Sequence, residues 1–283
     1  MAKRLVGTLC VALFAFVGTA SADDKQPYLL ALGDSLSIGI MPINGVYTPT
    51  KRGYADDLYA KYKNKIPGLK LAKLGCSGET TVTMMTGGVC EYRNGSQLQD
   101  ALAFIASHRI AFITIDLGGD DLLDCFSLAT LAIDYGCISQ AGTNIATRLP
   151  QILLALRGGL LTSGQAAPIV GMNYYDAFLA AWIFGPVGQQ LALDSLPLTL
   201  QLNDLLEAVY ASLGVPVANV EGAFHTTDWS VVPIIGLPKN VLIALTWTWM
   251  SAPPPSGPDV HPNTIGYGAI AAAFVQKLTG VLP

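Results

Sequence analysis

The stretch Ile110–Leu117, Ile-Ala-Phe-Ile-Thr-Ile-Asp-Leu, constrains the fold more than any other part of this chain. It is apolar and β-branched almost throughout, and Gly118 and Gly119 close it. Such a run reads as a strand buried on both faces, which needs helices above and below it. The surrounding sequence supplies them. Tyr28–Leu32, Leu69–Leu74, Ala167–Met172 and Val215–Val220 read as four further strands. Between and after them, Tyr54–Tyr62, Leu98–Ser107, Asn144–Leu156, Leu196–Leu213 and Asn263–Leu278 carry apolar groups at helical spacing. Alternation of this kind predicts an α/β domain whose central parallel sheet is covered on both faces. Tyr174–Gln190 and Thr226–Ser256 break the alternation and read as irregular, aromatic-rich insertions bordering a site.

The first residues read differently. Lys3 and Arg4 precede the apolar run Leu5–Val17, and small residues follow, with Ala20 and Ala22 in the Ala-x-Ala relation. That is the pattern of a secretory signal peptide, residues 1–22, cut after Ala22. One domain is expected over 23–283. Of 16 basic residues the leader takes Lys3 and Arg4, which leaves 14 against 20 acidic ones. A surface with that excess gives no reason to bind nucleic acid or an anionic membrane. With 51% apolar and only 13% charged residues, a large core is expected and disorder is not. No later run is long and apolar enough to read as a stable membrane span. No partner protein is indicated.

Cys10 sits in the leader, so Cys76, Cys90, Cys125 and Cys137 remain. An even count in an exported chain predicts two disulfides, and four cysteines allow three pairings. The local scheme, Cys76–Cys90 with Cys125–Cys137, is expected because each pair brackets one loop. Four thiolates on zinc would call for Cys-x-x-Cys spacing, which is absent, so no metal site is expected.

In doubly wound sheets, ligands meet the C-terminal strand ends. Four polar or glycine-rich segments fall at such ends: Gly33–Leu36, Gly75–Thr80, Gly118–Asp121 and Asp259–Asn263. A serine at a sharp strand-to-helix junction exposes its hydroxyl near backbone donors, which makes Ser35 a candidate nucleophile. Of the three histidines, His108 ends a helical stretch and His225 lies in an irregular one. His261, in Asp-Val-His-Pro-Asn before the last helix, is placed to act as general base.

These segments, taken in order, resemble the secreted bacterial branch of the GDSL-type, or SGNH, hydrolase family. The first block of that family matches Gly33-Asp34-Ser35-Leu36, and its second matches Gly75-Cys76-Ser77-Gly78-Glu79-Thr80. Its third, Gly-x-Asn-Asp, stands here as Gly118-Gly119-Asp120-Asp121, and its last as Asp259, His261 and Pro262. The Thr246-Trp247-Thr248-Trp249 stretch also resembles this branch. The resemblance implies a three-layer α/β/α sandwich on a mainly parallel five-stranded sheet, the flavodoxin-like SGNH fold. It implies cleavage of carboxylic esters, lipid or short-chain, through an acyl-enzyme, with no cofactor. Ser35 is then the nucleophile, His261 the base and Asp259 its orienting acid, while Ser35 and Gly78 supply backbone N–H groups to an oxyanion hole.

Two positions depart from the family. Asp120 replaces the asparagine that donates to the oxyanion, and an ionised carboxylate has no proton to donate. Only a protonated Asp120 serves as third donor, which requires burial or neighbouring negative charge. The acid is usually three residues before the histidine, where Pro258 stands here; Asp259 is two before it, and a backbone carbonyl is the alternative for orienting the ring. Trp182, Phe184, Trp229, Trp247 and Trp249 are candidates for lining an acyl groove, or else pack loops over the sheet. An acetyl-sugar esterase is the alternative enzyme. A secreted lipid- or glycan-binding protein that lost turnover through Asp120 is the alternative of another class.

Overall fold

The computed structural model describes residues 26–127 and 132–282; the expected signal peptide lies outside them. In chain order, β1 (Pro27–Gly33) turns through α1 (Ser35–Ile38) into a hairpin of β2 (Ile40–Ile43) and β3 (Val46–Pro49). Then come α2 (Tyr54–Tyr62), β4 (Lys70–Lys73), α3 (Thr81–Thr86), α4 (Gln97–Ser107), β5 (Arg109–Asp116) and α5 (Gly119–Leu123). A second hairpin, β6 (Phe126–Ser127) with β7 (Ala132–Ile133), leads into α6 (Tyr135–Thr162) and β8 (Ile169–Met172). A 3-10 helix (Ala177–Phe184), α7 (Gly185–Ser212), β9 (Val217–Ala218), α8 (Val220–Ala223), α9 (Lys239–Trp247) and α10 (Thr264–Leu278) follow.

The central sheet has five strands in the order β4-β1-β5-β8-β9, and every pair is parallel. Helices cover both sides: α2 packs on α10, while α4 and α7 pack on α6. Burial explains why β1 and β5 are uninterrupted apolar runs. Leu29, Leu30, Ala31 and Leu32 are fully buried, as are Phe112, Ile113 and Ile115. Each such large side chain contributes roughly 1.5–3 kcal/mol by leaving water. The chain leaves β1 for β4 on one side and then crosses to β5 on the other. The crevice at the C-terminal ends of β1 and β5 is therefore the topological switch point, where such sheets bind ligands.

Two segments differ from the sequence expectation. The expected irregular stretch Tyr174–Gln190 holds the 3-10 helix and the first turn of α7, and Thr226–Ser256 holds α9. Helices α6 and α7 also start well before Asn144 and Leu196, and each runs through an internal proline, Pro150 or Pro197. Their start signals are local. Asp134 caps α6 by accepting from the N–H groups of Gly136 and Cys137, and Pro186 lies in the first turn of α7. None of the described helices is long and apolar enough to cross a membrane.

Candidate active site

Strand β1 ends at Gly33 with φ 121°, and a Cβ there would sit 1.7 Å from the Asp116 carbonyl oxygen, so only glycine fits. Gln97 clamps this strand end: its Oε1 accepts from Gly33 N–H at 2.6 Å, and its Nε2 donates to the Gly33 carbonyl at 2.9 Å. Asp34 then caps α1 by accepting from Leu36 N–H at 2.9 Å. Ser35 is thereby the first residue of a four-residue helix, and its N–H has no intrahelical acceptor.

The turn before α10 brings the histidine. Asp259 Oδ1 accepts from the His261 backbone N–H at 2.9 Å, an Asx-type turn, and lies 2.7 Å from His261 Nδ1. That turn is why an acid two residues back reaches the ring. Burial raises the Asp259 pKa, but the hydrogen bond and charge of His261 outweigh it and hold the carboxyl below its ordinary range. An ionised Asp259 requires Nδ1 to carry the proton, which leaves Nε2 as acceptor. Nε2 lies 2.9 Å from Ser35 Oγ. The three groups thus form one relay, able to take the hydroxyl proton of Ser35 onto the imidazole.

Ser35, His261, Gly78 and Asp120 line one cavity of about 240 Å³ at the switch point. Gly78 has φ 84°, in a loop tied down by the Cys76–Cys90 disulfide. Cys125 joins Cys137 and fastens the β6–β7 hairpin to α6. Asp121 holds α5 to α3, accepting from Thr81 N–H at 2.7 Å and Thr81 Oγ1 at 2.6 Å. Gly119 has no room for a side chain, since a Cβ would meet the Tyr174 ring at 2.6 Å. The Tyr174 hydroxyl in turn donates to Asp34 Oδ2 at 2.9 Å.

Asp120 lines this cavity, and its Oδ2 is shut off from solvent without a hydrogen-bond partner. Burial, followed by the charges of Asp34, Asp124 and Asp121, pushes its pKa up to about 8, against a smaller lowering from the Gly78 N–H. Beneath Ser35, burial also raises the carboxyl pKa values of Asp34 and Asp116. Asp116 accepts from Tyr54 Oη at 2.6 Å and from Ser37 N–H at 3.0 Å.

The remaining candidates lie elsewhere. None of Trp182, Phe184, Trp229, Trp247 and Trp249 lines the cavity. Trp182 packs on Trp229 at 5.2 Å, Trp247 sits edge-on to Phe224 at 5.3 Å, and Phe184 is exposed. The Trp249 backbone instead straps the histidine turn, donating to the His261 carbonyl at 3.0 Å and accepting from Asp259 N–H at 3.2 Å. The apolar lining comes from Leu122, Leu123, Phe126, Phe178 and Val260, with Tyr47 and Tyr175 at its edge. Phe178 lies in a segment expected to be irregular but is fixed by the 3-10 helix that Asp176 caps. Tyr174 opens the insertion expected to border a site, whereas no sequence signal marked Gln97 or Tyr47 as parts of it. His225 is exposed, 3.7 Å from Asp228, and His108 stacks on Phe104 at the opposite end of β5. Among the described residues no cluster of three or more histidine, cysteine or acidic side chains is arranged to hold a metal.

No family model matches the sequence, and no curated protein sequence does. Solved structures do. An extracellular lipase from Streptomyces rimosus is 19% identical with a TM-score of 0.55, over 88% of this chain and 99% of that one. A lipase from a goat rumen metagenome is 16% identical with a TM-score of 0.52, over 88% and 96%. A carbohydrate acetylesterase from Sinorhizobium meliloti is 14% identical with a TM-score of 0.50, over 90% and 100%. The likeness is one of fold: a parallel five-stranded sheet between helical layers.

Proposed function

We propose that this chain is a secreted serine hydrolase of the GDSL-type family that cleaves carboxylic esters of apolar acyl groups. The relay from Asp259 through His261 to Ser35, at 2.7 and 2.9 Å and opening on a largely apolar cavity, carries the reading. The family assignment rests on the four ordered sequence blocks. Export rests on the signal-peptide pattern and on two disulfides, which persist in oxidising compartments.

In this mechanism Ser35 Oγ attacks the ester carbonyl while its proton passes to His261 Nε2. The carbonyl π electrons move onto oxygen, which is met by the N–H groups of Ser35 and Gly78. Collapse breaks the C–O bond, and the leaving alkoxide takes the proton from His261. Water, deprotonated by the same imidazole, then attacks the acyl-enzyme, and collapse returns the proton to Ser35 as the acid leaves. Asp259 keeps the ring in the required tautomer and stabilises the imidazolium. Every atom transferred comes from ester, water or these side chains, so the cycle needs no cofactor.

The lining favours an acyl chain over a sugar. Leu122, Leu123, Phe126, Phe178 and Val260 present no hydrogen-bonding side chains. Asp176, a polar lining residue, already accepts from Ser195 Oγ and Phe178 N–H. The cavity of about 240 Å³ has room for a short or medium acyl chain. A panel of esters of graded acyl length, with acetylated sugars included, tests this. Highest kcat/KM on simple short- or medium-chain esters is the expected result. Preference for acetylated sugars would replace the substrate class, and binding without turnover of any ester would favour the non-enzyme.

A further inference from the structure

We propose that Asp120 works as a neutral carboxylic acid, whose O–H donates to the oxyanion, and that its ionisation switches the enzyme off in mild alkali. This rests on the serine hydrolase reading above and adds to it a protonation state and an upper pH limit.

The geometry assigns the proton. Asp120 lines the cavity with Ser35 and Gly78, and its Oδ2 is buried with no donor facing it. A charged carboxylate with one oxygen sealed away from every donor is costly, whereas the neutral acid carries no charge there and, lining the cavity, can turn its O–H to an acceptor. Ester carbonyl oxygen is that acceptor, and its demand grows as negative charge develops. Carboxylic acids held neutral by apolar surroundings serve as oxyanion donors in other enzymes.

The charged surroundings agree from each side. On its own helix Asp120 faces Asp121 and Asp124, and from the β1 loop Asp34, all acting to keep it protonated. Asp116 lies under Asp34. Tyr47 from the β2–β3 hairpin, and Tyr174 and Tyr175 after β8, sense its charge and bring no cation. From α6, Arg148 acts on Asp121. His261 and Asp259 close the ring as an ion pair during the reaction. Burial and these carboxylates together push the Asp120 pKa up to about 8, so the acid form dominates at neutral pH.

No proton leaves Asp120 during turnover. It lends a hydrogen bond while Ser35 and His261 exchange theirs, so the step balances without it. Above the transition the same group loses its donor and places a negative charge against the oxyanion, opposing the chemistry twice.

The test measures kcat/KM on p-nitrophenyl butyrate and the rate of fluorophosphonate labelling across pH 6 to about 10, for wild type, Asp120→Asn and Asp120→Ala. Carboxyl carbon-13 titration of wild type and Asp120→Asn accompanies it. Wild type is expected to lose about tenfold per pH unit above the transition, until the roughly hundred- to thousandfold worth of one oxyanion donor is gone. Asp120→Asn keeps a donor at every pH, so its limb vanishes and its advantage over wild type climbs with pH. Asp120→Ala also loses the limb but starts about a hundred- to thousandfold lower at neutral pH. One carboxyl resonance titrates near pH 8 and is missing in the asparagine variant. A wild-type rate that holds to about pH 10, an unchanged alkaline limb in Asp120→Asn, or an Asp120 carboxyl ionising in the ordinary range each overturns the proposal alone, provided Ser35 is labelled. Failure of the probe to label folded protein at any pH overturns the hydrolase reading and this one with it.

Discussion

Asp176→Asn tests the electrostatics of the cavity wall by a route that needs no substrate. Asp176 is 3% exposed, and burial pushes its pKa up to about 6 from 3.8, with Ser195 Oγ and the N–H groups of Phe178 and Leu179 opposing the rise. A raised folded pKa means that this group favours the fold most below the unfolded value near 4. That advantage is lost as pH rises through about 6, because the unfolded chain releases the proton more readily. A difference of about two units corresponds to roughly 3 kcal/mol. Asparagine is neutral at every pH. Its carbonyl still caps the 3-10 helix at Phe178, and its amide donates to Ser195 Oγ where the carboxylate accepted. The variant is therefore expected to match wild type near pH 4 and to exceed it by up to about 3 kcal/mol near pH 8. In a domain of this size that is about 6–12 °C in Tm. Thermal and urea unfolding from about pH 4 to 8 provide the measurement. An offset between the two proteins that stays constant across this range refutes the assignment of a raised pKa to Asp176.

Two other outcomes follow from the site. Ser35→Ala and His261→Ala should each lower turnover of a short-chain ester by about ten thousandfold or more, while His225→Ala, exposed and outside the cavity, stays within a few-fold. Non-reducing peptide mapping should join Cys76 to Cys90 and Cys125 to Cys137; reduction should cost about 2–4 kcal/mol per bridge, with the Cys76 loop that carries Gly78 making activity the more sensitive readout.

What was legible in the sequence was what burial writes directly. β1 and β5 lie inside the sheet with both faces covered, so their apolar runs are continuous, and Tyr54–Tyr62 stands as a helix with the same ends in both readings. Three of the four polar segments do follow strands β1, β4 and β5 and were equally visible, because a buried strand can stop only where turn residues begin, whereas Asp259–Asn263, expected at a strand end, lies between α9 and α10. The starts of α6 and α7 were hidden because their first halves lie partly exposed and carry apolar residues on more than one face, such as Tyr135, Val187 and Leu193. Tyr174–Gln190 was legible as a segment bordering the site, and what its aromatic-rich composition did not show was the 3-10 helix that fixes Phe178 in the cavity wall. The tryptophans were left open, between groove lining and loop packing, for a different reason. Large aromatics near a site also serve as packing, and here Trp249 supports the His261 turn through its backbone, which composition cannot reveal. Spacing likewise left Asp259 open until the Asx turn showed how two residues suffice. Gln97 bonds Gly33 across 64 positions, a contact no local pattern encodes.

The central claim is that Ser35 is a nucleophile activated by His261. Treatment of folded, disulfide-bonded protein with a fluorophosphonate probe, followed by intact mass and peptide mapping, tests it most directly because no natural substrate is needed. One adduct per chain, on the peptide holding Ser35 and lost in His261→Ala, is the predicted result. An unlabelled protein, an adduct on another residue, or labelling that survives His261→Ala at the wild-type rate would contradict it.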